Sequence, residues 1–250
     1  MFRSLLIAGQ FLTILPLRVA GEIGKAEIGR SAAAYPIIGL VLGLLLLGAM
    51  VVLRVTFAPR LAEALLVALW AGLTGGMHLD GLADTLDGLA FGRSRDEVLR
   101  IMKDTRLGSY GAVGLAAVLL VKLTALGAVP AARVGEAVVL ALVLGRTAAV
   151  HAGYLTRYAG LGEGMARTLT EEMRPVHWLA ALAIAAGLAV LVGRARGGVA
   201  LAAMLAVSSL LAWFFVRRIG GVTGDVYGAT IEVNEAVALL VFAAAPGGLG

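Results

Sequence analysis

Long apolar runs separated by charged connections dominate this chain. Seven of them, at about 31–53, 61–80, 111–128, 136–155, 178–193, 198–216 and 233–246, approach the roughly 20 residues a helix needs to cross a bilayer. The fifth and seventh are short, which suits tilted or broken spans. The connections alternate in length. Residues 54–60, 129–135 and 194–197 make tight turns, marked by Pro59, Pro130 and Gly197. Residues 18–30, 81–110, 156–177 and 217–232 are longer and hold most of the charge. Ahead of the first span, Met1–Leu17 joins Arg3 to a short apolar stretch ending near Pro16. No small-residue cleavage site follows, so it reads as a retained interfacial or half-membrane segment and not as a signal peptide. The pattern predicts an all-α fold: a polytopic integral membrane helical bundle of about seven spans, forming one domain over residues 1–250.

Charge orients the bundle. Thirteen Lys and Arg lie in the four long connections and five in the short ones. The positive-inside rule therefore places the long connections in the cytoplasm. Only 15% of residues are charged and 60% are hydrophobic, against about 25% charged in soluble proteins, so no segment is polar enough for a separate soluble domain. The formal net charge of +5 follows from this topology and calls for no nucleic acid. The chain has no cysteine, which excludes disulfides, thiolate metal sites and cysteine nucleophiles.

The densest chemistry begins at Gly75-Gly76-Met77-His78-Leu79-Asp80 and continues through Asp84 and Asp87. Spacings of four and three place Asp80, Asp84 and Asp87 on one helical face. Three carboxylates so close repel unless a cation or protons hold them, and ionisable groups at membrane depth are functional candidates. Oxygen ligands of this type suit magnesium or manganese. His78 lies about 200° around the helix from Asp80, where it faces either a substrate or a packing partner. In the following connection, Ser94 and Glu97 fit a capping box. A helix over about Arg95–Lys103 follows, with Val98, Leu99 and Met102 on one face, lying on the interface or solvated in the loop.

Lys103-Asp104-Thr105-Arg106-Leu107-Gly108-Ser109-Tyr110-Gly111 sets an aspartate between two bases. Lys103 and Arg106 can neutralise phosphate oxygens, and Asp104 can add a ligand or accept a proton. A plain basic anchor would explain the two cations but not Asp104. Near the far end, Gly220-Gly221-Val222-Thr223-Gly224-Asp225 is flexible enough to bring Asp225, or the amides of Gly221 and Gly224, to a phosphate or metal. The two regions echo each other: Gly76 precedes Asp80 by four residues and Asp87 by eleven, and Gly221 precedes Asp225 and Glu232 likewise. The echo suggests two span ends facing one site. Within the spans, Arg146 must pair or reach water, while Lys122 can snorkel.

Together these residues resemble the cobalamin synthase family (adenosylcobinamide-GDP ribazoletransferase). The resemblance rests on Phe11–Pro16, Tyr35–Gly39, Gly75–Gly92, Ile101–Gly111 and Gly220–Ala229, with Gly75–Gly111 the most specific part. It implies a magnesium-dependent membrane transferase in the last assembly step of the cobalamin nucleotide loop. Adenosylcobinamide-GDP and α-ribazole, or its 5′-phosphate, would give the cobalamin product and GMP at the cytoplasmic face of the cell's cytoplasmic membrane. On this reading Asp80, Asp84 and Asp87 hold Mg2+. Asp104, Asp225 and His78 are catalytic candidates, and Lys103, Arg106, Gly221 and Gly224 meet phosphate. The lipid bilayer is a partner, and a homo-oligomer stays open. Residues 159–165 depart from the polar loop of the family and receive no substrate contacts. Two rival classes remain. A phosphotransferase acting on nucleotide-activated lipid alcohols would also cluster aspartates at helix ends. An ion-coupled transporter would place its acids nearer the bilayer midplane.

Overall fold

Eleven α-helices account for most of residues 2–244, the part described by the computed structural model. They are α1 (Phe2–Leu12), α2 (Lys25–Ser31), α3 (Tyr35–Thr56), α4 (Pro59–Leu73), α5 (Met77–Phe91), α6 (Arg95–Ile101), α7 (Ser109–Ala128), α8 (Val134–Leu155), α9 (Met165–Glu172), α10 (Pro175–Ile219) and α11 (Gly224–Ala243). Local chemistry sets many of their ends. Pro36, Pro59 and Pro175 open α3, α4 and α10, where a missing amide proton costs no hydrogen bond. Ser94 caps α6 by accepting the Glu97 amide at 3.2 Å, and the Glu97 carboxylate returns to the Arg93 amide at 2.8 Å.

Five helices are long and apolar enough to cross a membrane, and the α4–α5 pair makes a sixth if its 86° bend lies within one broken span. The 45 residues of α10 would run about 68 Å as one helix, far beyond a bilayer core. The chain instead breaks at Arg194, with φ +49° and ψ −131°. Gly197 there approaches Ala189 so closely that a Cβ would lie 1.9 Å from its carbonyl oxygen. His151 of α8 bonds Trp178 of one arm and Ser209 of the other, so the arms lie side by side and antiparallel. They are the spans expected at 178–193 and 198–216.

Three expectations are corrected. The run at 61–80 does not make one straight span: α4 stops at Leu73, Gly75 and Gly76 turn the chain at φ +61° and +70°, and α5 leaves in a new direction. The expected 233–246 span starts already at Gly224, its last two positions lying outside the described residues, so Asp225 sits on a helix. The α6 helix ends at Ile101 and buries Val98, Leu99 and Met102. Its side chains fill the space over Gly88 and Gly92, so its apolar face packs on α5 and not on lipid.

The bundle turns around α8, buried almost without interruption from Ala137 to Gly153. Small residues let its neighbours close in, as expected where lipid offers no hydrophobic drive for packing. A Cβ on Gly39 or Gly43 of α3 would come within 2.8 Å of the α8 backbone. One on Gly145 or Gly153 would strike Glu235 or Tyr227 of α11. The four long connections meet at one end of the bundle. There Arg95 donates to the carbonyls of Ile219 and Ala159, Tyr158 pairs with Val222 in a parallel bridge, and Gly29 packs on Glu172.

Deep in the bundle, Lys122 of α7 pairs with Glu232 and Glu235 of α11, and Arg146 of α8 pairs with Glu235. All four side chains are at most 3% exposed. Lys122 therefore does not snorkel; it is locked inside, over the face of Trp70. Two cations and two anions balance, and removing one leaves a buried charge without compensation. Glu235→Gln is expected to cost about 3–5 kcal/mol, read as loss of stability in detergent unfolding, whereas a loss below about 1 kcal/mol would contradict this account.

Candidate active site

The site is built where α5 and α11 cross. A Cβ on Gly81 would lie 2.8 Å from the Asp225 carbonyl oxygen, and one on Gly228 would lie 3.0 Å from that of His78. Gly81 accepts no side chain without a backbone shift, Gly228 leaves almost no room for one, and the close crossing sets Asp225 beside Asp80 and Asp84. Asp80 is exposed, and Asp84 and Asp225 are half-buried. The charges of Asp80, Asp225 and Asp87 all bear on the Asp84 carboxylate. Asp80, Asp84 and Asp225 take part in no ion pair among the described residues. This contrasts with Glu232 and Glu235 deep in the bundle, each matched by a base.

The loops shape the rim. Gly220, at φ +90°, ends α10, and Gly221, at φ +154°, lies so close to Arg157 that a Cβ would meet its carbonyl oxygen at 1.9 Å. Val222 then pairs with residues 157–159, and Thr223 caps α11 by accepting the Val226 amide. This pairing brings Tyr158 to Asp225: burial pushes the Tyr158 phenol up, and the Asp225 charge adds to it. Lys103 stands over Gly162 and its charge also reaches Asp225.

The candidate residues separate into distinct places. Asp87 shares a helix with Asp80 and Asp84, but its carboxylate accepts the amides of Gly108 at 2.7 Å and Gly111 at 2.8 Å. It is 5% exposed and closes the first turn of α7, where helix amides lack partners and favour an anion. A Cβ on either glycine would fall 2.4 Å from an Asp87 oxygen. Asp104 stands apart from the aspartate group. Arg106 grips it through Nε at 3.0 Å and a terminal nitrogen at 2.7 Å, holding its carboxyl at about 2, below the usual carboxylate range. The Arg106 side chain remains 87% exposed. The Gly221 amide is committed to the Phe215 carbonyl, while Gly224 is exposed in the first turn of α11. His78 is 6% exposed and lines an apolar cavity on another side of α5, its Nδ1 without a partner.

Sequence reasoning missed Tyr158, because a single bridge between residues 64 positions apart leaves no local pattern. It also left His151 unexplained. Trp178 donates to His151 Nδ1, so Nε2 carries the proton toward Ser209. That tautomer cannot take a proton from Ser209, which removes a serine–histidine nucleophile.

Among the described residues, no three His, Asp or Glu side chains form a ready metal cage. Carboxylate oxygens without cationic partners nevertheless suit magnesium in kind. Magnesium takes one or two carboxylates and fills its remaining positions with water and substrate phosphates, so the donor set fits an ion that arrives with a phosphorylated substrate.

Comparison with known proteins agrees in scope. The family model described as cobalamin-5-phosphate synthase matches residues 4–243. The chain is 41% identical over 231 residues to the adenosylcobinamide-GDP ribazoletransferase of Roseiflexus sp., covering 92% of this chain and 85% of that one. It is 40% identical over 250 residues to the enzyme so named in Pseudomonas aeruginosa, covering 96% and 98%. The Clostridium acetobutylicum protein of the same name is 30% identical over 239 residues, covering 96% and 95%. No solved structure matches the chain. A match over nearly the whole length, on an all-helical membrane architecture, means that the chain belongs to the cobalamin-5-phosphate synthase family, transferases of cobalamin biosynthesis.

Proposed function

We propose that the chain joins adenosylcobinamide-GDP to α-ribazole, or to its 5′-phosphate, and releases GMP at the cytoplasmic face of the cytoplasmic membrane. The observation that carries this reading is the group of Asp80, Asp84 and Asp225, unpaired at the end of the bundle where the basic connections gather. The name shared by the relatives supplies the substrates.

In the reaction, a ribose hydroxyl of α-ribazole forms a bond to the phosphorus that carries cobinamide. The bond from that phosphorus to the bridging oxygen breaks, GMP leaves with the oxygen, and the hydroxyl proton passes to a base. Asp80 and Asp84 would hold Mg2+, which when bound supplies charge neutralisation at the pyrophosphate. Asp225, half-buried on the facing helix, receives the proton at a carboxylate oxygen. Lys103 and exposed Arg106 bind phosphate oxygens, with Asp104 orienting the Arg106 guanidinium. The Gly224 amide, in the first turn of α11, offers a further donor. Asp87 acts one step removed, by fixing α5 to the start of α7.

Purified protein in nanodiscs, given adenosylcobinamide-GDP and α-ribazole, is expected to release GMP and form a cobalamin product with magnesium but not with EDTA. No product from folded protein would remove the reading and favour a lipid-alcohol substrate. Asp84→Asn is expected to lower turnover by about 10²–10⁴-fold, the several kcal/mol that a bound metal supplies; normal turnover with unchanged magnesium dependence would overturn the assignment. Gly81→Val removes no carboxylate but forces α5 from α11. A displacement near 1 Å should cost about 100-fold in turnover, and wild-type kinetics from this variant would show that the crossing does not set the site.

A further inference from the structure

Beside the aspartate group lies a cavity of about 180 Å³ that the chemistry above does not use. Its walls include Phe11 of α1, Tyr35 of α3, His78 of α5, Ala149 of α8, Ala166 of α9 and Tyr227 of α11. Its lining reaches Gly224, the chain neighbour of Asp225, and Met77 and His78, just ahead of Asp80. Both sites thus touch the first turns of α5 and α11. The spacing of Gly145, Ala149 and Gly153 keeps one face of α8 small; the two glycines seat Glu235 and Tyr227, and Ala149 borders the open space between them.

The lining is apolar except at a few points. The Tyr227 hydroxyl is occupied by Thr170 at 2.7 Å. His78, 6% exposed, has a buried Nδ1 with no hydrogen-bond partner. The ring itself lines the cavity, and Nε2, unlike the sealed Nδ1, is the nitrogen open to a ligand there. From these observations we infer that this cavity is the subsite for the planar benzimidazole base of the acceptor nucleoside.

Size and polarity select that occupant. A cavity of about 180 Å³ admits a bicyclic aromatic ring but not a corrin macrocycle. Guanine would bury an edge crowded with donors and acceptors, which this lining cannot match, and each unmatched group would weaken binding. A dimethylbenzimidazole attached to ribose through one ring nitrogen presents aromatic faces, two methyl groups and a single free ring nitrogen. The rings of Phe11 and Tyr35 supply apolar contact, and a neutral His78 imidazole can donate one N–H to that nitrogen. With the base seated here, the ribose projects toward Gly224 and the Asp225 carboxylate. The segment α1 thereby gains a role as one wall of the acceptor site.

The inference rests on the reaction proposed above, and its test separates the two. The chain has no cysteine, so Ala166→Cys introduces a unique thiol on the cavity wall. In the full-length protein in nanodiscs, α-ribazole is expected to slow maleimide labelling of that thiol by about tenfold or more, while GMP leaves it unchanged. Turnover of α-ribazole without protection, or equal protection by GMP, would overturn the subsite. Failure of the wild-type protein to release GMP would instead sink the reaction itself. If Ala166→Cys does not fold, Met77→Cys at the exposed mouth serves for the same measurement.

Discussion

Two backbones approach each other in this molecule until only hydrogen fits between them, and the site depends on that contact. Gly81 of α5 lies against the Asp225 backbone, and Gly228 of α11 lies against that of His78. A larger side chain at Gly81 would push the helices apart and carry Asp225 away from Asp80 and Asp84, and Gly228 leaves little more room. The contact is held from outside by two further devices. Asp87 binds α5 to the start of α7 through two backbone amides, and Glu232 and Glu235 bind α11 to Lys122 and Arg146. Both helices are thus fastened to further elements as well as to each other.

The fastening explains how acids are used along the bundle. In a low-dielectric interior, an unpaired carboxylate is costly to keep. Glu232 and Glu235 meet that constraint with a lysine and an arginine and become structure. Asp80, Asp84 and Asp225 lie near the end, where water reaches them, and can remain without partners. Their mutual repulsion is a reserve of negative charge that a bound cation can neutralise. The same residue type therefore does opposite work depending on depth.

Much of this was legible in the chain. Apolar runs located the spans, including the hairpin now seen in α10, and the spacing of Asp80, Asp84 and Asp87 placed them on one helix. The α6 cap followed from Ser94 and Glu97. What escaped depends on contacts between distant segments. Hydropathy alone could not show that Gly75 and Gly76 bend the chain by 86°, because α4 and α5 are both apolar. Nor could it start α11 at Gly224, since Asp225, Glu232, Asn234 and Glu235 lower the hydropathy of a helix whose polar groups point inward. Asp87 looked like a ligand by spacing; its commitment to Gly108 and Gly111 requires knowing which helix begins opposite it.

The echo between the two halves of the site acquires a physical meaning in these terms. Gly75-Gly76 and Gly220-Gly221 both adopt positive φ and precede a helix with an aspartate in its first turn, Asp80 in one and Asp225 in the other. Seven residues further on, nearly two turns and hence almost the same face, stands a second acid. Both of these second acids turn to α7: Asp87 to its first amides, Glu232 to Lys122 in its interior. Each helix therefore carries one acid for the shared site and one for a common support. A glycine turn sets the direction of the helix, the first acid reaches its open end, and the second anchors it to the same third helix. Because both helices are tied to α7, a displacement of that support bears on both halves of the site. Their spacing from each other is set where Gly81 and Gly228 bring α5 and α11 together.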